Sequence, residues 1–208
     1  GQYSPTSPKG FVSKSSPFGT VERPFIPAEL VFGARGTFFA RTLDVDMPTT
    51  VACMVAGHQH KGASVIECLV NCVIFNHGTH NWIADRETRA ERSIVLKHGE
   101  KMIFGKDKDK GLALDYSQGL IPQLIVVSAD DERVLVHDAT QKDPTLHRML
   151  AMMGAEGDTT LPIALGVIRN VEEESYDMAV NQQIRQVREQ SKAKCFDELT
   201  RSLEQWEI

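Results

Sequence analysis

TFFARTLDVDMPTTVACMVAGHQHKGASVIECLVNC, residues 37–72, is the stretch that decides the fold. Segment 37–45 is rich in Phe and Thr and ends in Asp-Val, which is typical of a buried strand. Asp46 is placed to cap a helix, and the apolar run 63–72 predicts a second strand, parallel to the first and buried on both faces. Strand, helix and strand in about 35 residues make a right-handed βαβ unit, so we predict an α/β fold. Within the helix, four residues at helical spacing share one face: Val51, Met54, Val55 and His58.

The segments on either side of this unit extend the α/β pattern without repeating it. Residues 27–32 predict a short helix with Pro27 in its first turn. Downstream, the pattern predicts short strands within 92–99 and 101–115, a hairpin of 120–127 with 133–138, a short helix closed by Gly154, a buried strand at 161–171 and one long helix at 175–207. We therefore expect a parallel sheet with flanking helices, followed by an extension of short strands and a long helix.

The composition is that of an ordinary globular protein and argues against several classes of function. Of 208 residues, 41% are hydrophobic and 25% charged, and the formal net charge of −5 argues against a general nucleic-acid binder. No stretch approaches the roughly 20 apolar residues that span a bilayer, and no signal peptide opens the chain. The four cysteines lack disulfide-like spacing and favour a reducing compartment. We therefore expect a cytoplasmic protein with neither nucleic acid nor membrane as a partner.

Cys72 is the first candidate for a functional residue, because it lies where the second predicted strand ends. Ligands gather at the carboxyl ends of parallel strands, and a thiolate there can ligate iron or zinc. A single cysteine is more often a small buried hydrophobe, so on residue chemistry alone that interpretation stands beside the metal site. Cys68 lies four residues upstream, and a CxxxC spacing on a strand is not a recognised metal motif.

Residue chemistry alone does not decide the role of two other features. A zinc site could be drawn from four histidines, but they lack a recognised ligand spacing, and positions at a helix end or on the surface are the simpler interpretation: His58, His60, His77 and His80. The opening segment 1–19, rich in Ser, Pro and Gly, is either a tail or a functional loop. Known phosphate-binding and nucleophile motifs are absent from the sequence, so the catalytic residues are unknown at this point.

Five stretches of the sequence share the features of one enzyme family. They are GQYSPTSPKGFVSKSSPFGTVERPF (1–25), FGARGTFFARTLDVD (32–46), HKGASVIECLVNCVIFNHG (60–78), HGEKMIFGKDKDKGLAL (98–114) and DELTRSLEQWEI (197–208). With them the chain resembles the thiamine-diphosphate-binding β subunit of 2-oxoacid:ferredoxin oxidoreductases, close to the 2-oxoglutarate type. The Mg²⁺-holding motif of that family and its other cluster cysteines match nothing from Gly1 onward. We therefore expect the C-terminal part of such a subunit, inactive on its own.

The resemblance assigns roles to four residues. Cys72 matches the position that supplies the fourth thiolate of a [4Fe–4S] cluster, which favours the metal-ligand interpretation. Gln2, Ser4 and Thr6 match a loop close to the cofactor, where polar groups would steady the diphosphate or the substrate. Cys68 matches no ligand position and is expected in the core.

The sequence also departs from the family pattern near its proposed cluster cysteine. Val73 stands where many relatives have a proline, so the turn after Cys72 lacks that constraint. His77 stands where the family often has an aspartate. Neither departure removes the thiolate itself.

The resemblance implies a reaction, its cofactors and its partners. The reaction is the reversible oxidative decarboxylation of 2-oxoglutarate with coenzyme A to succinyl-CoA and CO₂, with electrons passing through a [4Fe–4S] cluster to ferredoxin. The cofactors are thiamine diphosphate, Mg²⁺ and the cluster, and the partners are an α subunit (or a fused α/γ subunit), ferredoxin, the 2-oxoacid and coenzyme A. Residues 1–80 are then the C-terminal half of the thiamine-diphosphate-binding domain, and 81–208 form an extension that packs on the partner subunit.

Three alternatives stay open on the sequence. A related thiamine-dependent enzyme could act on pyruvate or another 2-oxoacid. A non-catalytic assembly module could dock a partner through the terminal helix. A zinc-binding domain would use the cysteine and histidines around residue 72.

Overall fold

The computed structural model describes residues 2–191 and 195–202. Its helices are α1 (Pro27–Gly33), α2 (Met47–Gln59), α3 (Asn81–Ala84), α4 (Arg89–Arg92), α5 (Thr145–Met152), α6 (Tyr176–Gln190) and α7 (Phe196–Ser202), with one 3-10 turn at Ala155–Gly157. Its strands are β1 (Phe38–Leu43), β2 (Ser64–Leu69), β3 (Ser93–Leu96), β4 (Ile103–Phe104), β5 (Lys110–Asp115), β6 (Gln123–Ser128) and β7 (Ile163–Asn170). The chain divides into two compact units, Gly1–Glu172 and Glu173–Ile208.

The βαβ unit at the start of the first compact unit is confirmed. All six residues of β1 are buried, and β2 runs parallel to it with Phe38 opposite Ser64 and Leu43 opposite Leu69. Between the two strands, Asp46 caps α2 by accepting a hydrogen bond from the backbone N–H of Thr49 at 3.3 Å. Together with the flanking helices, this sheet confirms the α/β class.

The first sheet has the order β2-β1-β7-β3 and mixes parallel with antiparallel neighbours. Strand β1 is parallel to β2 and antiparallel to β7, and β3 is parallel to β7. At Gly166 of β7, φ is +93°, and a Cβ atom there would lie 2.6 Å from the carbonyl oxygen of Leu96, so only glycine fits against β3. The sheet joins strands from both sides of residue 80, so the two regions expected from the sequence share one sheet.

The expected burial of β2 on both faces is wrong. Strand β2 lies at an edge of the first sheet, and most of its side chains are exposed or only half-buried. Cys68, expected in the core, is exposed on this strand. On α2, the residues that face the sheet are Thr50 and Cys53, whereas the apolar face drawn from the sequence is about half exposed: Val51 50%, Met54 54% and Val55 49%. Burial within the first compact unit therefore does not account for all the apolar residues of β2 and α2.

The second sheet, β4-β5-β6, corrects the expected hairpin of 120–127 with 133–138. Strand β6 pairs antiparallel with β5 over six residues instead. The turn between the two segments exists, because the N–H of Val134 donates to the carbonyl of Asp131 at 3.1 Å. Beyond it, however, the N–H of Leu135 donates to the carbonyl of Leu112, so this segment crosses over β5 rather than pairing with β6.

The largest core cluster lies between the first sheet and the helices α1 and α5. It contains Phe32 and Phe39, whose rings lie 5.9 Å apart, together with Leu150 and Ile168, all of them buried. Gly154 follows α5 with φ of +76° and ends it as expected. The expected buried strand at 161–171 is β7, and the expected helix at 27–32 is α1. The core thus fixes the end of α5 against β1, which matters for the site below.

Within residues 173–191 and 195–202, the second compact unit contains two helices where the sequence predicts one long helix. Helix α6 ends at Gln190, because Ser191 adopts extended backbone angles, φ −65° and ψ 129°. Helix α7 follows, and the predicted helix residues Leu203 and Trp206 lie outside the described residues. In the part of the chain that the structure covers, no helix has the length and apolar content to cross a bilayer.

Candidate functional site

A cavity of about 1160 Å³ opens near the carboxyl end of β2. Most of its wall comes from the opening loop, the end of β2 with the turn that follows it, and the residues after α5. Gln2, Ser4, Thr6 and Cys72, the four residues singled out from the sequence, all line it. This volume lies slightly above the usual range of cofactor and substrate pockets, roughly 300–1,000 Å³.

The opening loop is tied back onto the chain by backbone hydrogen bonds. The N–H of Phe25 donates to the carbonyl of Pro5 at 2.8 Å, and the N–H of Gly10 donates to the carbonyl of Thr20 at 2.8 Å. The buried hydroxyl of Thr20 donates to the carbonyl of Pro8 at 3.0 Å. Segment 2–19 is therefore a folded loop rather than a free tail, which is what a cofactor-proximal loop requires.

The hydroxyl groups of this loop form a small polar cluster at the cavity. Ser4 Oγ lies 2.8 Å from Thr6 Oγ1, and the N–H of Ser4 donates to Ser7 Oγ at 3.2 Å. These groups offer donors and acceptors but no charge, so they can orient a polar ligand without neutralising a diphosphate. The cofactor role of Gln2, Ser4 and Thr6 stays a prediction.

Cys72 begins a tight turn whose backbone favours its thiolate. The N–H of Asn76 donates to the carbonyl of Cys72 at 3.0 Å and closes the turn. Hydrogen bonds from the backbone N–H groups of Phe75 and Ile74, with a smaller contribution from Asn76, lower the pKa of the exposed Cys72 thiol. Because the thiolate is the form that ligates metals, this environment fits a cluster ligand.

Asn71 compensates in part for the proline that this turn lacks. Its backbone N–H donates to Asp44 Oδ2 at 3.0 Å, and its side-chain Oδ1 accepts from the N–H of Gly78 at 2.8 Å. The turn is thus anchored at both ends, to the loop after β1 and to the segment after residue 77. The departure at Val73 leaves the position of Cys72 fixed by hydrogen bonds instead of by a proline ring.

The histidines named in the sequence are scattered, which argues against a zinc site. Among residues 2–191 and 195–202, no group of three or more His, Cys, Asp or Glu side chains could hold a metal ion. His60 Nε2 lies 2.8 Å from Thr37 Oγ1 and His60 Nδ1 lies 2.9 Å from Asn170 Oδ1, so this ring is fully hydrogen-bonded. Cys72 therefore supplies at most one ligand of a cluster, and further ligands would have to come from outside the described residues.

A buried ion pair in the cavity wall is the main feature that sequence reasoning missed. Arg41 Nε donates to Glu67 Oε2 at 2.6 Å, and the two side chains are 5% and 16% exposed. Both residues line the cavity, and they are direct partners across β1 and β2. The only signal in the sequence is that each of these charged residues interrupts a mainly apolar strand.

His80 is a second missed feature of the cavity wall. It precedes α3, and burial lowers its pKa despite the opposing effect of the nearby carboxylates of Asp44 and Glu67. The ring is therefore uncharged at neutral pH. It can accept or donate a hydrogen bond in the cavity without repelling a cationic or anionic ligand.

Comparison with known proteins places the chain beside one group of enzymes. A scan against protein-family models found no match. The 2-oxoglutarate oxidoreductase subunit KorB of Mycobacterium tuberculosis is 35% identical over 190 residues, which are 88% of this chain and 48% of that protein. The 2-oxoglutarate synthase subunit KorB of Archaeoglobus fulgidus is 38% identical over 72 residues, covering 35% of this chain and 27% of that protein. The chain thus spans about half the length of the first of these relatives.

A solved structure shares the fold. The 2-oxoglutarate:ferredoxin oxidoreductase from Magnetococcus marinus, with 2-oxoglutarate, coenzyme A and succinyl-CoA bound, superposes with a TM-score of 0.62 at 13% identity. The superposition covers 98% of this chain and 53% of that one. Sequence and fold together confirm the resemblance to the β subunits of 2-oxoacid:ferredoxin oxidoreductases of the 2-oxoglutarate type.

Proposed function

We propose that this chain is the C-terminal part of the thiamine-diphosphate-binding β subunit of a 2-oxoglutarate:ferredoxin oxidoreductase. The complete enzyme would convert 2-oxoglutarate and coenzyme A to succinyl-CoA and CO₂ and pass two electrons to ferredoxin, and it would also run in reverse, as reductive carboxylation. The observation that carries the proposal is the single cavity that collects the opening loop and Cys72. An enzyme that moves electrons from a substrate carbon to a cluster needs both within a short distance of each other.

Cys72 would hold one iron of a [4Fe–4S] cluster. Its thiol is exposed toward the cavity, and the N–H groups of Phe75 and Ile74 stabilise the thiolate that a cluster requires. Hydrogen bonds of this kind to a cluster sulfur also tune the reduction potential. Cys68 is exposed in the same cavity wall but matches no ligand position of the resembled family, and it is not proposed as a ligand.

The opening loop would hold the cofactor and the substrate in place. When bound, thiamine diphosphate with Mg²⁺ supplies the electron sink for decarboxylation. Ser4 and Thr6 offer hydroxyl groups to the bound molecules, and Gln2 offers an amide. The backbone hydrogen bonds that close the loop at Phe25 and Gly10 fix these groups, so little ordering is needed on binding.

The remaining parts of the proposal concern partners and location. An α subunit, or a fused α/γ subunit, would complete the enzyme, and ferredoxin would take the electrons. The reducing cytoplasm suits a protein whose Cys53, Cys68, Cys72 and Cys195 are all free thiols. Residues 81–208 would form an extension that packs on the partner subunit.

The test is anaerobic iron, sulfide and EPR analysis of the native complex that contains this chain, compared with Cys72→Ser and Cys68→Ser variants. We expect a [4Fe–4S] signal in the wild type that Cys72→Ser weakens or abolishes. Cys68→Ser is the matched control, since it removes a second exposed thiol from the same cavity, and its signal should equal that of the wild type. A complex without iron, or a cluster indifferent to Cys72, would favour a cluster-free thiamine enzyme or an assembly module.

The choice of 2-oxoacid is tested separately by activity. Ferredoxin reduction by the intact complex is measured with 2-oxoglutarate and with pyruvate, each in the presence of coenzyme A. We expect a much larger kcat/KM for 2-oxoglutarate. The reverse order would assign the chain to the related enzymes that act on pyruvate.

A further inference from the structure

Arg41 is held rigidly in the cavity wall by two acceptors. Its Nε donates to Glu67 Oε2, and its Nη2 donates to the carbonyl oxygen of Ala151 at 2.7 Å, at the end of α5. The guanidinium carbon also lies 5.8 Å from the centre of the Phe39 ring, within the range of a cation–π contact. The guanidinium group is thus oriented by β1, β2 and α5 together.

One nitrogen of this group is left without an acceptor. Nη1 of Arg41 is buried and donates to no residue in the part of the chain that the structure describes. Arginine stays protonated and offers five N–H donors, so a shielded Nη1 costs free energy until an acceptor reaches it. The side chain is 5% exposed and Arg41 lines the cavity, so the uncommitted donor belongs to a residue of the wall of the proposed binding site.

We infer that Arg41 is an oxyanion-binding residue of the cavity, with Nη1 reserved for an oxygen of a carboxylate or a phosphate group. The inference rests on the proposed function and names the group that recognises a ligand there. Charge-assisted hydrogen bonds from guanidinium to these oxyanions are among the strongest in proteins. Because Glu67 takes Nε and the Ala151 carbonyl takes Nη2, Nη1 is the nitrogen left for the ligand.

Two ligands of the proposed enzyme carry this chemistry. The 2-oxoacid has carboxylates, and thiamine diphosphate has a diphosphate; both match the planar donor edge of arginine. The neighbouring His80 is uncharged at neutral pH, since burial lowers its pKa, and so it neither attracts nor competes for the anion. As Nη1 is shielded, the adjoining side chains must move aside by about the width of an oxygen atom when the ligand enters.

The test uses the intact complex and two probes, inorganic diphosphate and 2-oxoglutarate, with binding measured by calorimetry. The main variant is Arg41→Met with Glu67→Gln, which removes both charges and avoids leaving Glu67 unpaired. Arg41→Lys is the second variant; it keeps the charge and folds more readily, but it presents no planar donor edge. Arg133→Met is the matched control, because it removes an exposed arginine that does not line the cavity. Glu67→Gln alone measures what the loss of the carboxylate contributes to the double variant.

We expect the Kd of one probe to rise about 10- to 100-fold in the double variant and less in Arg41→Lys, with the control close to the wild type. A loss confined to diphosphate assigns the oxyanion to the cofactor, and a loss confined to 2-oxoglutarate assigns it to the substrate. Unchanged binding of both probes, in a variant whose thermal unfolding matches the wild type, overturns the inference. The cluster signal of the same complex decides the proposed function independently, so the two failures are distinguishable.

Discussion

Arg41 and Arg169 are buried to the same degree, yet their surroundings differ in kind. Every nitrogen of Arg169 donates to an acceptor, and these acceptors come from four positions: the carbonyls of Gly36, Gln141 and Lys142 and the Nδ1 of His147. Arg41 has two acceptors and a spare nitrogen. A saturated arginine holds a fold together, whereas an unsaturated one at a cavity is available to a ligand. The comparison separates a structural side of the first compact unit from a binding side.

The largest effect is expected on the structural side, from Arg169→Met. The change removes a buried guanidinium group that donates to three partly buried backbone carbonyls, and the free energy of unfolding should fall by about 3 kcal/mol. Thermal unfolding of the complex, or hydrogen exchange of the β7 amides, measures the loss. Arg133→Met is the control, because Arg133 is 60% exposed in its pair with Asp131 and should contribute less than about 1 kcal/mol. Equal losses in the two variants would contradict the structural role of Arg169.

The histidines buried near Arg169 predict a loss of folding stability in mild acid. His147 Nδ1 accepts a hydrogen bond from Arg169, and its Nε2 lies 2.8 Å from the carbonyl oxygen of Asp138. Burial, together with the positive charge of Arg169, lowers the pKa of His147. Burial also lowers the pKa of His137. The folded state therefore keeps both rings neutral while the unfolded chain protonates near pH 6.5. Stability is fully present above that pH and falls below it, by up to about 1.4 kcal/mol per pH unit for each histidine.

Unfolding temperatures measured between pH 7.5 and 5 test this expectation. His147→Gln should be less stable at pH 7.5 and should show a shallower decline toward pH 5 than the wild type. The carboxylates with lowered pKa, such as Asp138 and Asp143, titrate below this range and do not obscure it. A decline as steep as that of the wild type would assign the acid sensitivity to other groups.

The smallest effect is expected on the binding side, from Asn71→Ala. The substitution removes the acceptor of the Gly78 N–H and should cost about 1 kcal/mol locally. Its main consequence is a less ordered turn at Cys72, visible as a broadened EPR signal of the cluster with little change in the unfolding temperature. Asn71→Asp keeps the acceptor oxygen and should preserve the signal; broadening in this variant as well would show that the Gly78 bond is not what orders the turn.

The sequence predicted the elements whose signals are local. The cap at Asp46, the six-residue strand β1 and the glycine after α5 each depend on neighbouring residues alone. The hairpin of 120–127 with 133–138 failed because alternating apolar residues indicate strands without indicating their partners, and β5 is the partner of β6. Likewise, the apolar run that forms β2 did not reveal that the strand lies at a sheet edge.

The candidate site divides in the same way. Cys72 and the opening-loop residues came from resemblance, and the structure brings them to one cavity. Arg41 and Glu67 were missed because an ion pair between residues 26 positions apart becomes visible only once two strands are set in register. The break of the terminal helix at Ser191 was missed since serine is compatible with a helix interior and its extended backbone depends on context.

The turn around Cys72 also has a consequence for the handling of the protein. The backbone N–H groups of Phe75 and Ile74 favour the thiolate form of Cys72. A bare thiolate that is open to solvent is the species that peroxide attacks first, giving sulfenic acid and then the irreversible sulfinic and sulfonic acids. Purification in air would therefore damage the residue on which cluster assembly depends. Once Cys72 is oxidised beyond sulfenic acid, adding iron and sulfide would no longer rebuild the cluster.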